Sequence, residues 1–304
     1  MFEIACAALL AVGLDRFLSE RLRVDPFLWY RDWAESIEQR FNGGSRAHGI
    51  AAVAVAVVPV LLLILVLRYL LGELAWLLRF AFDVLVLFWC IDLHRLAGRA
   101  REVSDALRAD DMPVANENLR LLNGKGAEEL TEGSVAQAAV EVVLKQGNAV
   151  VVAPLFWFAV LGPFGAVVQR LASLLGRLWG DGTERFSEFG WAAARLDHLL
   201  GWVPARITAF SYAIMGSFED ALHCWRYQVG MWSETNNGVL LASGFGAMQM
   251  QTCENAPDVE GEGGKVNVTT VVPDAGHVHR VGALVWRVVL FWLAMAAVAL
   301  VLAR

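Results

Sequence analysis

GIAAVAVAVVPVLLLILVL, residues 49–67, carries no charged side chain over nineteen positions. Wound as an α-helix, such a run is about 28 Å long, against roughly 30 Å of hydrocarbon in a bilayer. A helix satisfies its own backbone polar groups, which lipid does not do. The stretch therefore predicts a membrane-spanning helix, and its surroundings repeat the pattern.

The chain has 304 residues, 57% of them hydrophobic, with a mean hydropathy of +0.49. Soluble domains have about 45–50% apolar residues. Twenty-five basic against thirty-one acidic residues leave a net charge of −6, so no basic field exists to neutralise nucleic-acid phosphates. Cys6, Cys90, Cys224 and Cys253 share no metal-ligand spacing, and reduced thiols are expected.

Further spans are expected over 280–303, interrupted by Arg287, and over 149–168, where Pro154 and Pro163 predict a kinked or broken helix. Weaker candidates are 74–91, in which Arg79 and Asp83 are four apart and suited to pair on one face, and 199–216, which holds Arg206. The opening MFEIACAALLAVGLDRFL has no basic flank and no small-residue cleavage site before Asp15. It reads as a retained first helix closed by a surface Asp15. The expected fold is all-α: a polytopic integral membrane protein with five to six transmembrane or re-entrant helices, forming one membrane domain over 1–304.

Three polar regions separate the spans. Residues 19–48 contain Arg21, Arg23, Arg31, Arg40 and Arg46; residues 92–148 are helical and rich in both signs of charge; residues 252–280 are glycine-rich and acidic. The last reads as a flexible polar loop. Basic residues stay in the cytoplasm, which places 92–148 there as a helical segment, with the amino terminus outside. No phosphate-binding glycine loop, dinucleotide fingerprint, zinc-protease helix or nucleophile elbow is present. His277 and His279 would face one way on a strand, but no other ligands accompany them, and no metal site is expected.

EFGWAAARLDHLLGWVPARITAF, residues 188–210, raises the main functional question. A helix to Leu200 makes Arg195 and His198 neighbours and turns Asp197 about 200° from Arg195, so those two do not pair. Pro204 suits the first turn of a new helix, which predicts a break at Gly201–Pro204, with Trp191 and Trp202 as interfacial anchors. Two readings stand: the half-helix ends and Arg206 receive an anion, or Asp197 and Arg206 pair across the break as a clamp. Glu141 and Lys145 form an i,i+4 pair, with Glu141 alternatively a metal-ligand remnant. Ala242 and Gly246, four apart, permit close helix approach, within the chain or to an oligomeric or membrane partner.

The order of segments resembles the CobD/CbiB family of polytopic membrane proteins. The likeness rests on LDRFLSERLRVDP and EQRFNGGSRAHG near the start, then SVAQAAVEVVL, VVAPLFWFAVLGPFGAVVQR and EFGWAAARLDHLLGWVPARITA, and finally GSFEDALHCWRYQ and GVLLASGFGAM. It implies an inner-membrane ligase that joins aminopropanol, or its phosphate, to adenosylcobyric acid as an amide in cobalamin assembly. Mg-ATP and a corrinoid would be the cofactors. Asp197, Arg195, Arg206, Glu141 and His198 would face the substrate.

Where the family carries a Glu-Asn-x-x-Asp-Gly type of stretch before the Ala-Pro-Leu-Phe element, this chain has KQGNAVVV, with Lys145 in place of the acid. That departure is similar to the AmpE branch, which is associated with β-lactamase induction. It implies the alternative of a non-enzymatic membrane regulator or scaffold.

Overall fold

The computed structural model describes residues 2–17, 26–123, 132–180, 186–228, 235–255 and 266–302. The helices are α1 (Phe2–Phe17), α2 (Pro26–Phe41), α3 (Arg46–Leu74), α4 (Trp76–Cys90), α5 (Leu93–Arg108), α6 (Met112–Asn123), α7 (Glu132–Gly147), α8 (Ala153–Leu161), α9 (Pro163–Trp179), α10 (Trp191–Met215), α11 (Phe218–Gln228), α12 (Thr235–Ala247) and α13 (Ala275–Leu302). A π-helical turn over Asn148–Val152 joins α7 to α8. Among the described residues the only strands are β1 (Gln251–Asn255) and β2 (Val266–Thr270), an antiparallel pair with Cys253 opposite Val268. They fall in the segment expected to be a loop, whose residues 256–265 lie outside the described ones.

The protein is all-α and of membrane type. Three helical stretches among the described residues are long and apolar enough to cross a bilayer: Arg46–Leu74, Gly133–Leu161 and Ala275–Val298. The first is the run at 49–67 extended at both ends. It carries its apolar side chains outward, with Leu62, Leu63, Leu65, Val66 and Leu70 exposed, a surface that suits lipid and not water. The remaining apolar helices expected to span are shorter or more polar; α4, for example, has 15 residues.

The chain divides into two compact units. One contains residues 1–92, 149–202 and 293–304; the other contains 93–148 and 203–292. In the first unit α4 packs on α1, α3, α8 and α9. Its interior includes Ala11, Ala52, Ala56, Leu87, Ala166, Leu171 and Leu175. In the second unit α5, α6 and α7 pack on one another, and α12 packs on α7 and α11. Every residue of α12 from Gly238 to Ala247 is buried. Gly246 allows this, because a Cβ there would meet Ala221 Cα at 2.7 Å. At Gly246 the close approach is made within the chain, against α11.

Several local expectations change. Asp83 does not pair with Arg79 one turn away. Arg68 reaches it across the tight α3–α4 turn in a two-pronged contact, Nε to Oδ1 at 2.9 Å and Nη2 to Oδ2 at 3.2 Å. Arg79 instead donates to Glu3 at 3.4 Å. An antiparallel neighbour offers the planar guanidinium a better-aimed carboxylate than the i,i+4 position does. Asp15 is buried and not at the surface. His277 and His279 lie on α13 and not on a strand. His277 faces back to Asp274, with Nδ1 2.7 Å from Oδ1, in the manner of a helix-start contact.

The expected break at Gly201–Pro204 is absent: α10 runs unbroken from Trp191 to Met215 with Pro204 inside it. A proline here leaves the carbonyl four residues back, that of Leu200, without its helical donor. The indole N–H of Trp157 donates to that oxygen at 2.9 Å. The helix continues because another helix supplies the missing proton. The break expected at Pro163 is present. Gly162 takes φ 65° and ψ −152°, a region essentially reserved for glycine. Pro163 then opens α9, where its missing N–H costs nothing.

Candidate functional site

The charged centre of the first unit is organised by Pro154. As the second residue of α8 it offers no N–H to the carbonyls of Ala149 and Val150, behind it in the π-turn. Both oxygens are satisfied from outside the helix. The backbone N–H of Asp92, in the α4–α5 turn, donates to Val150 O at 3.1 Å. The side-chain Nε2 of Gln169, on α9, donates to Ala149 O at 3.3 Å. A proline-induced gap therefore fixes Asp92 and the middle of α9 relative to each other.

Next along α9, Arg170 is only 6% exposed. Its Nη2 stands 3.9 Å from Asp92 Oδ2, and its guanidinium carbon lies 5.2 Å from the ring centre of Phe27 on α2, a cation–π distance. Arg170, Ser173 and Arg177 fall on one face of α9 by helical spacing. Gly176 and Gly180 bring that face close to α10. A Cβ at Gly176 would meet Asp197 Cβ at 2.8 Å and Oδ2 at 2.9 Å, and one at Gly180 would meet Ala194 at 3.1 Å. Asp197 is half-buried in this crevice.

Arg177 feels the charges of Arg170, Asp197, Arg31 and Asp92. Protein crowded around its guanidinium, and next the Arg170 cation, lower its pKa to about 10, with Asp197 and Asp92 pulling the other way. It remains cationic at neutral pH. Its side chain nevertheless reaches solvent, as does that of Arg31, while Asp92 and Asp197 are half-covered and Arg170 is buried. The charged side chains thus grade from buried Arg170 to exposed Arg31 and Arg177.

The residues singled out from sequence divide between the units. Asp197 belongs to this cluster. Arg195, exposed, and His198, half-buried, share its helix turn. Glu141 and Arg206 belong to the second unit. Glu141 Oε1 accepts from Gln137 at 3.1 Å, and Lys145 approaches its carboxylate at 3.9 Å. Arg206 donates to Asn236 Oδ1 at 3.2 Å.

The second unit also holds a buried hydroxyl–amide set. Thr208 donates to Asn148 Oδ1 at 2.9 Å, Tyr212 to Leu144 O at 2.9 Å, and Ser243 to Ala209 O at 2.6 Å. These bonds tie α10 to the end of α7 and to α12.

Sequence reading missed Asp92, Arg170, Arg177 and the role of Arg31. One signal was available. Gln169 and Arg170 interrupt an otherwise apolar run directly after Pro163, and a charge in such a run marks function by default.

The description "CobD/Cbib protein" matches residues 8–255 of the chain. The chain is 40% identical over 242 residues to "Cobalamin biosynthesis protein CobD" of Stutzerimonas stutzeri (strain A1501), covering 78% of each chain. It is 36% identical over 248 residues to the protein of the same name from Chromobacterium violaceum, covering 79% of this chain and 78% of that one. A Rhodobacter capsulatus protein of that name is 29% identical over 218 residues, covering 70% of this chain and 68% of the other. No solved structure matches. The matched region contains both the Pro154 element and the α9–α10 crevice, and the chain belongs to the CobD/CbiB family.

Proposed function

We propose that the protein is a bacterial inner-membrane ligase of cobalamin assembly that forms an amide between aminopropanol, or its phosphate, and a carboxylate of adenosylcobyric acid. The observation that carries this reading is the polar centre built by Asp92, Arg170, Arg177 and Asp197 inside the family-matched region of a chain whose relatives are named for cobalamin biosynthesis. Condensing a carboxylate with an amine in water is uphill and is coupled to ATP. Guanidiniums hold carboxylates and phosphates in two-pronged contacts, and a carboxylate such as Asp197 orients or deprotonates an ammonium. His198, next to Asp197, would join the substrate-facing set, whereas Arg195 lies about 200° round α10 from Asp197 and is not assigned to it. Glu141 and Arg206 belong to the second unit and are not assigned to this centre. Among the described residues no three acidic, histidine or cysteine side chains gather as a metal site, so no residue is assigned to magnesium. Nucleotide phosphates and water supply much of that ion's coordination. Residues 92–148 would lie on the cytoplasmic side, where ATP is present.

A second reading, an AmpE-like regulator or scaffold without turnover, is favoured by the engagement of Glu141 with Lys145 and Gln137. The two are separated by turnover in lipid nanodiscs with adenosylcobyric acid, Mg-ATP and aminopropanol phosphate. Amide product, followed by mass spectrometry and abolished by Asp197→Ala, supports the ligase. No product, beside an active family member, overturns it and leaves the regulator.

A further inference from the structure

We propose that the bilayer covers residues 57–74 of α3, and that the start of α2 is an interfacial anchor seated in the phospholipid headgroup layer through Leu28, Trp29 and Trp33. Residues 46–56 of α3 and the rest of α2 would then stand outside the hydrocarbon. The lipid-binding surface does not depend on the ligase reading.

α3 is longer than a bilayer is thick. Its 29 residues make about 43 Å of helix, against roughly 30 Å of hydrocarbon. Fitting all of it inside would take a tilt of about 46°, beyond the usual range of roughly 0–40°. Part of α3 therefore lies outside, and its exposed side chains identify that part. Over 46–54 they are Arg46, Ala47, His48, Ile50, Ala51 and Ala54, with one large apolar group among them. Val55 and Val58 follow, and over 62–67 the exposed residues are Leu62, Leu63, Leu65, Val66 and Leu67. The first turn is also polar in its contacts. Arg46 pairs with Glu188 at 2.7 Å, both about half exposed, a pair suited to water or headgroups and not to lipid tails.

α2 marks the depth of the boundary. It runs antiparallel to α3: Tyr30, eleven residues before the end of α2, donates its phenol proton at 3.3 Å to the carbonyl of Ala56, ten residues into α3. Rings cluster at this level. Trp29 and Trp33 stack with centres 6.0 Å apart, and Tyr30 meets Trp33 edge-on at 5.7 Å. Trp29 is 70% exposed and Leu28 60%, whereas further along α2 the exposed side chains include Asp32, Glu35, Gln39 and Arg40. A tryptophan pair placed between a charged surface and an apolar one has the make-up of a headgroup-level anchor. Continuity identifies its occupant, because α3 carries the lipid-facing leucines onward from Ala56.

The far boundary lies one bilayer away. Ala56 and Leu74, the last residue of α3, are eighteen positions apart, about 27 Å along the helix and close to the hydrocarbon thickness. Just past the α3–α4 turn Trp76 is 66% exposed, which supplies a second aromatic level. Arg79, beside Gly72, reaches exposed Glu3 there, as a polar rim requires. Deeper between the two levels, Arg68 and Asp83 neutralise each other, as charges in hydrocarbon must.

The test uses the full chain in phospholipid nanodiscs. Single cysteines are introduced at exposed positions of α3, and modification by a water-soluble maleimide is read as the gain over the parent chain with its own four cysteines. Ala51→Cys and Ala54→Cys should react at least tenfold faster than Leu62→Cys and Val66→Cys. Slow reaction at all four positions would place the whole of 49–67 in hydrocarbon and overturn the proposal. Fast reaction at all four would overturn it equally, because no lipid would then cover 62–67.

The anchor has its own readout, quenching of tryptophan fluorescence by phospholipids brominated on their acyl chains. The quenching lost in the Trp29→Phe, Trp33→Phe double variant should be at least twofold greater for bromines near the headgroup than for bromines near the chain end. No loss in that variant would show that protein, a second copy of the chain included, covers the aromatic pair, and would overturn the anchor. A loss no greater near the headgroup than near the chain end would sink α2 into the hydrocarbon and overturn the boundary at Ala56.

Discussion

The indole N–H of Trp157, on α8, donates to the carbonyl of Leu200, the oxygen that Pro204 leaves without a helical donor. Two sequence elements of the family likeness, APLFW and WVPAR, are thereby halves of one device. Proline interrupts the ladder of α10, and tryptophan from another helix completes it. Pro154 works in the same way at the other end of α8, where Asp92 and Gln169 answer the two carbonyls it orphans.

Trp157→Phe keeps the ring and removes the donor. Leaving the Leu200 carbonyl unsatisfied in an apolar setting should cost about 1–3 kcal/mol. Thermal unfolding in detergent measures the loss. Adding Pro204→Ala restores a helical N–H for that oxygen, so the double variant should recover most of the stability. A double variant no better than Trp157→Phe would show that the bond to Leu200 contributes nothing.

Gly162→Ala forces a side chain into a conformation at φ 65°, ψ −152°. Strain of about 1–3 kcal/mol is expected, seen as a lower unfolding midpoint. Gly282→Ala is the control. Its site on α13 has open space around the added methyl, and alanine is the better helix former by about 1 kcal/mol.

Gly176→Ala places a methyl within 2.8–3.0 Å of Asp197. The helices cannot close as before, and the carboxylate must shift. Turnover should fall about tenfold, equivalent to about 1.4 kcal/mol, with helical content unchanged. Undiminished turnover would detach Asp197 from the reaction.

Asp83→Leu removes one half of a part-buried ion pair and strands Arg68. A loss of about 2–4 kcal/mol is expected, because an uncompensated charge costs more than the pair contributes. Arg68→Met combined with Asp83→Leu should be milder than Asp83→Leu alone. Circular dichroism melts of the single and double variants decide it. Equal losses would mean that Arg68 finds another partner or water.

Much of this was legible in the sequence. The uncharged run at 49–67 determined α3, because length and apolarity alone decide whether a helix can lie in hydrocarbon. Gly162-Pro163 determined the α8–α9 turn, since glycine's backbone freedom and proline's missing N–H are properties of the residues themselves. The family order of motifs identified the kind of protein. The fate of Pro204 was not legible, because it depends on a donor from Trp157, far away in the chain. Nor was the pairing of Asp83, settled by an antiparallel neighbour in preference to its own helix turn, nor the burial of Asp15. The charged cluster belongs wholly to the tertiary structure. Arg31, Asp92, Arg170, Arg177 and Asp197 come from four separate places in the chain, and only the approach permitted by Gly176 and the carbonyls freed by Pro154 bring their charges together. Local preferences are written in each residue, whereas electrostatics and hydrogen-bond rescue depend on distances that exist only after the helices pack.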